Sequence, residues 1–139
     1  GFFQEYRAER SLAALKKMIS PSSKVFREGV LQTVASSRIV PGDLVLLEAG
    51  DRIPADGRIV QSIELATQEA ALTGESMPVR KLAPPIEKQE LGIGDRKNMA
   101  FLGTVVVSGK GMMLVCETAL GTELGKIASL LQIAKEEHT

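Results

Sequence analysis

Ala70-Ala71-Leu72-Thr73-Gly74-Glu75-Ser76-Met77-Pro78-Val79 is the stretch on which the reading of this chain turns. An apolar run leads into it, and Met77-Pro78-Val79 leads out as a second strand. Between them lie a hydroxyl, a glycine, a carboxylate and another hydroxyl. Strand-like flanks around a glycine predict a tight turn. Gly74 can take backbone angles closed to other residues and lets the chain approach a partner closely. Glu75 then stands at the apex, solvated and able to reach another surface. The same four letters also describe an ordinary polar turn, so the choice between decoration and chemistry rests on the rest of the chain.

Upstream, the pattern is strand and turn. Lys24–Arg27 and Val30–Val34 flank Glu28-Gly29, a hairpin signal. Ile39-Val40-Pro41-Gly42-Asp43 reads as a turn, and Leu44–Glu48 as a strand apolar enough to be buried on both faces. Ala49–Gly57 is turn-rich and holds Asp51 and Asp56. These two could form a paired-acid site, but Asp in a Gly/Pro-rich turn commonly bonds its own backbone, and that reading is favoured. Arg58–Leu65 is the strand that leads into the central stretch.

Downstream, residues 80–98 carry Pro84-Pro85, many charges and two glycines, which predicts a long exposed loop with Arg80, Lys81, Lys88, Arg96 and Lys97 solvated. Phe101–Val107 and Met112–Thr118 read as two strands around a Ser108-Gly109-Lys110-Gly111 hairpin. At the start of the chain, Ala8, Leu12, Leu15 and Ile19 repeat at helical spacing and Ser20-Pro21 ends the pattern. At the far end, Thr122 is a candidate N-cap for a helix with Leu124, Ile127, Leu131 and Ala134 as its stripe. Phe2-Phe3 and Tyr6, which the first stripe does not need, and Glu136-Glu137 at the wrong end for the helix dipole make both helices look cut.

The expected architecture is therefore mainly β: one domain over 1–139, with an N-terminal helix over 1–20, a β-body over 23–119 of about eight short strands, and a C-terminal helix over 121–137. A compact β-sandwich or distorted jelly roll fits that pattern. The core must be built from Val, Ile, Leu, Ala and Met, because the chain has no Trp and few aromatics. Formal net charge is zero, which argues against a nucleic-acid or anionic-membrane binder. No apolar run approaches the roughly 20 residues needed to span a bilayer, and no signal-peptide pattern opens the chain. Cys116 is alone, with no disulfide or cysteine metal site open to it, and its neighbours predict a small buried hydrophobe. The single histidine, His138, lies at the very end, which speaks against a Ser-His or Cys-His pair.

Taken in order, these motifs resemble the actuator domain of P-type cation-transporting ATPases. The matching stretches are Val40-Pro41-Gly42-Asp43-Leu44-Val45, Gly50-Asp51-Arg52-Ile53-Pro54-Ala55-Asp56-Gly57, Leu72-Thr73-Gly74-Glu75-Ser76, Lys97-Asn98-Met99 with Gly103-Thr104, and Thr122-Glu123-Leu124-Gly125-Lys126-Ile127. The resemblance covers nearly the whole chain. Ser76 and the tail Ala134-Lys135-Glu136-Glu137 look most like the calcium-pump and sodium/potassium-pump branch. One departure stands seven residues before Glu75, where many relatives carry Asp and this chain has Gln68.

The resemblance implies a distorted jelly roll between two membrane helices, on the cytoplasmic face of an integral membrane protein, with the fragment itself soluble and monomeric. It implies that Glu75 orients and deprotonates the water that hydrolyses an aspartyl phosphate formed on another domain. Thr73 and Gly74 would shape the loop and approach the phosphate, and Ser76 would hold the turn. No metal or cofactor is expected here; Mg2+ and ATP would belong to the phosphorylation and nucleotide-binding domains of the intact pump. A reading from a different class is a stand-alone all-β interaction module with no catalytic role.

Overall fold

The computed structural model describes residues 13, 15, 17–85 and 91–137, with side chains as far as Leu131. The expected first hairpin forms: β1 (Ser22–Arg27) pairs antiparallel with β2 (Val30–Ala35), and Arg27 faces Val30 across the turn. Its central residues Glu28 and Gly29 both have positive φ, 54° and 75°. Such a turn twists with the strands it joins. β3 (Leu44–Glu48) pairs with β1 on one side and with β7 (Val105–Glu117) on the other. It is not buried on both faces. Val45 and Leu47 are buried and Leu44, Leu46 and Glu48 only half-buried, because the outer face of the sheet is only partly covered.

Two strands of 13 residues, β4 (Asp56–Gln68) and β7, form the longest ladder of the sheet. The hairpin expected at Ser108–Gly111 is absent, since those residues lie inside β7. Gly109 and Gly111 are glycine for a different reason. A Cβ on Gly109 would collide with the carbonyl of Glu64, and one on Gly111 with that of Gln61. Both collisions fall where the β4–β7 register shifts, between Ile59 and Gln61 and between Ile63 and Ala66. Glycine lets the two backbones close up at these bulges, and bulges bend strands.

The sheet order is β2-β1-β3-β7-β4-β5, with β5 (Val79–Arg80) at one edge and β6 (Met99–Ala100) also paired to β4. One core gathers Val25, Val45, Leu47, Ile59, Leu65, Val106, Met113 and Val115 from four strands, with Ile39, Ile53 and Ala55 from the turns. Residues from both halves of β4 and β7 reach this core, so the bent ladder wraps around it. This is the mainly β, distorted jelly-roll body that was expected. Alternation along β7 puts Met113 and Val115 inside and Cys116 outside; the thiol is exposed and is no core hydrophobe.

A short helix, α1 (Ala70–Thr73), follows β4, and a longer one, α2 (Glu123–Glu137), ends the described chain. Thr122 caps α2 as expected: its Oγ1 accepts the Gly125 N–H at 2.9 Å. Of the predicted stripe, Leu124 is buried and Ile127 half-buried, but Leu131 is exposed, as is Leu130. The helix rests on the body by its first turns; Ala134 lies outside the described side chains. Leu124 joins Leu15 and Leu102 in a second, smaller core, ringed by Met18, Ile19, Leu72, Leu120 and Ala128. Most of the stretch predicted as an N-terminal helix, with Phe2, Phe3, Tyr6 and Leu12, lies outside the described residues, as does His138. Among the described residues no helix is long and apolar enough to cross a membrane.

Candidate functional site

The central stretch is not two strands around a tight turn. Ala70–Thr73 winds into one helical turn, and Gly74 ends it in the left-handed conformation at φ 77°, donating its N–H to the Ala70 carbonyl at 2.9 Å. An α-turn closed by a left-handed glycine is the usual way such a helix stops. Gln68 has a part here: its Oε1 accepts the Ala70 N–H at 3.2 Å, meeting one of the free donors at the start of α1. A neutral amide oxygen therefore suffices at this position.

From Thr73 to Pro78 every residue is exposed, Glu75 and Ser76 among them. The tip is held from within. Thr73 Oγ1 donates to the Glu69 carbonyl at 3.1 Å and accepts the Glu75 N–H at 3.2 Å. The backbone of Glu75 is fixed while its carboxylate stays in solvent. Thr73, Gly74, Glu75 and Ser76 thus lie together on one projecting loop, with Thr73 shaping it through hydrogen bonds. For Ser76, the described residues show exposure and no hydrogen bond.

Beneath the loop lies a feature that a residue-by-residue reading of the sequence misses. Lys81, expected in a solvated loop, is completely buried. Its Nζ lies 2.9 Å from Glu69 Oε2, donates to the Arg96 carbonyl at 3.3 Å, and sits 5.4 Å from the centre of the Phe101 ring. Burial pulls the Lys81 ammonium below the ordinary lysine range, and the Glu69 carboxylate opposes that shift. The described ends of the 80–98 stretch are thus tied to the body. Val79 and Arg80 pair with β4, the Leu82 N–H bonds the Lys97 carbonyl at 2.9 Å, and Arg96 Nη1 reaches Glu123 on α2 at 3.2 Å. Arg80 and Lys97 are exposed as expected, and Lys88 falls outside the described residues.

Asp51 and Asp56 do not form a paired-acid site. Asp51 accepts the nearby Glu48 N–H at 2.9 Å, the local turn role expected of it. Asp56 departs from that reading. Its two oxygens accept the Leu102 N–H at 2.9 Å and the Glu123 N–H at 2.8 Å, so it ties the start of α2 to the β-body. Burial pushes the Asp56 carboxyl up, against the pull of both backbone donors. Among the described residues no group of three or more His, Cys, Asp or Glu could hold a metal ion.

A bent antiparallel body that presents a carboxylate on a glycine-capped loop defines a class, and comparison identifies it. The family model of the P-type ATPase actuator domain matches residues 17–132, and the chain belongs to that family. It is 48% identical over 134 residues to a calcium-transporting ATPase of Bacillus subtilis (strain 168), covering 96% of this chain and 15% of that protein. It is 43% identical over 134 residues to sodium/potassium exporting P-type ATPase 1 of Saccharomyces cerevisiae, covering 95% of this chain and 12% of that protein. The chain thus spans about 15% of the length of its calcium-transporting relatives. Among solved structures it resembles a zinc-transporting PIB-type ATPase in the E2.Pi state, with TM-score 0.70 and 25% identity over 93% of this chain and 20% of that one. A second solved structure of a zinc-transporting PIB-type ATPase shares the fold at TM-score 0.66, over 96% of this chain and 20% of that one.

Proposed function

We propose that this actuator domain serves an ATP-driven cation pump by promoting hydrolysis of an aspartyl phosphate carried on another domain, with Glu75 as the residue that activates the water. The observation that carries this reading is the loop itself: an exposed carboxylate whose backbone N–H is tied to Thr73 while its side chain is unengaged. Such a group can align a water opposite the leaving carboxylate and accept its proton as the new P–O bond forms. Thr73 and Gly74 give the loop its shape, and Ser76 flanks the carboxylate. An anionic Glu beside a phosphate is repulsive, so docking needs cations on the other side to offset the charge. That makes docking conditional, as a pump cycle requires.

The partners in this reading are the phosphorylation and nucleotide-binding domains and the membrane helices of the same protein, with this domain at the cytoplasmic face. Mg2+ and ATP are held by those other domains. Higher identity to calcium-transporting than to sodium/potassium-exporting relatives supports a place on that branch of cation pumps.

The test is Glu75→Gln in the full-length pump. The amide keeps the shape of the side chain but cannot take a proton, and loss of a general base slows a reaction by about two to four powers of ten. Radiolabelled ATP should still label the variant, and the label should persist through a chase with unlabelled ATP. Decay at the wild-type rate would show that Glu75 does not activate the water.

A further inference from the structure

The Glu75 loop is an excursion from the sheet that leaves β4 at Gln68 and returns at Val79. Strand pairing closes its base at only two rungs, Ala66 opposite Arg80 and Thr67 opposite Val79. The Lys81 N–H adds a bond to the Leu65 carbonyl at 2.8 Å, Leu72 packs on the second core, and a buried pair ties the two sides together. Glu69 and Lys81, one on each side of the loop, are 1% and 0% exposed and meet at 2.9 Å. Glu69 Oε1 has no hydrogen-bond partner among the described residues, so the carboxylate is held through its bond to Lys81.

The backbone of Glu69 does a second job. Its carbonyl accepts the N–H groups of Leu72 and Thr73, both at 2.9 Å, and the Thr73 hydroxyl at 3.1 Å. That hydroxyl in turn accepts the N–H of Glu75. A continuous chain of bonds therefore runs from Lys81 Nζ to the Glu69 carboxylate, from the Glu69 carbonyl to Thr73, and from Thr73 to Glu75. Buried ion pairs are often replaceable by apolar side chains without loss of stability. This one is completely buried, and it stands under the loop that carries Glu75.

We propose that Glu69 and Lys81 are positioning residues: their buried pair fixes the height and tilt of the Glu75 loop, so that domain movement delivers the carboxylate to the phosphate as a rigid tip. Neither side chain touches the reacting atoms. The inference rests on the reading of Glu75 given above.

The decisive variant is Glu69→Gln/Lys81→Met in the full-length pump, which removes both charges together and leaves no unpaired ion. Phosphorylation from ATP should proceed as in wild type, and phosphoenzyme decay should slow about 100-fold, as expected for an ångström of misplacement. Amide hydrogen exchange at Thr73, Gly74 and Glu75 should quicken while that of β3 and β7 stays unchanged, a local loosening that a purely stabilising pair would not produce. Wild-type decay, or unchanged exchange at the loop, overturns the proposal. If the double variant does not accumulate, Lys81→Arg, which keeps the charge but changes its geometry, takes the same two measurements with the same expected directions. Glu75→Gln runs alongside: should its phosphoenzyme decay normally, the water-activation reading fails, while loop exchange still decides whether the pair holds the tip.

Discussion

Glu69 and Glu75 belong to the same short loop and live in opposite surroundings. Glu69 is buried at the base, paired with Lys81, its carbonyl receiving three hydrogen bonds from α1. Glu75 stands at the tip in solvent, with only its backbone bonded. The difference teaches how one fold separates holding from acting. A carboxylate that meets a phosphate on another surface, as we propose for Glu75, cannot be engaged by its own domain. Its placement has to come from the main chain, and the main chain has to be fixed by something deeper.

Breaking the base should therefore cost stability, and altering the tip should not. The largest effect is expected for Lys81→Met, which strands the Glu69 carboxylate in the core. Removing one partner of a buried pair costs about 3–5 kcal/mol, so the denaturant midpoint should fall steeply, and adding Glu69→Gln should restore most of it. A Lys81→Met chain as stable as wild type would place the Lys81 side chain in water.

Asp56→Ala comes next. It leaves the buried Leu102 N–H and the first N–H of α2 without acceptors, at a cost of about 1–3 kcal/mol, and circular dichroism should show lost helix before the strands melt. Unchanged helix content would mean that Asp56 does not anchor α2.

Asp43 is an intermediate case. The Arg27 guanidinium, at 2.7 Å, holds its carboxyl below the ordinary carboxylate value of 3.8. Because the folded value is the lower one, the pair contributes stability above the ordinary value and loses it as pH falls toward the folded one. The stability gap between wild type and Asp43→Asn should be flat at neutral pH and close from about pH 4 downward. A gap that widens in acid would reverse the sign and refute the pairing. The smallest effect belongs to the tip: Glu75→Gln should change unfolding free energy by no more than about 0.5 kcal/mol, whatever it does to turnover. A larger loss would mean that the Glu75 side chain also supports the fold.

What is legible in the sequence follows the range of the forces involved. Glu28-Gly29 and Thr122 announce a hairpin turn and a helix cap because their geometry is set by immediate neighbours. The loop Thr73–Ser76 is legible as an exposed unit, although its apolar lead-in reads as strand and winds into α1. Ala70-Ala71-Leu72 has no period long enough to tell one helical turn from a strand end. Lys81 misleads because a lysine near two prolines looks solvated, and nothing local reveals that Glu69, Phe101 and the Arg96 carbonyl converge on it. Asp56 misleads for the same reason, since its partners Leu102 and Glu123 are far along the chain. Gly109 and Gly111 signal a special backbone but not which kind; only the approach of β4 distinguishes a bulge from a turn.

Gly74 carries one more consequence. A Cβ built on it would meet nothing within 4 Å, yet its φ of 77° lies where L-residues rarely sit. The loop therefore selects this residue by handedness and not by size. Tolerance and bulk should run in opposite orders here: asparagine, which visits left-handed angles readily, fits better than the smaller alanine. The bend that aims the carboxylate is a matter of chirality, written into open space.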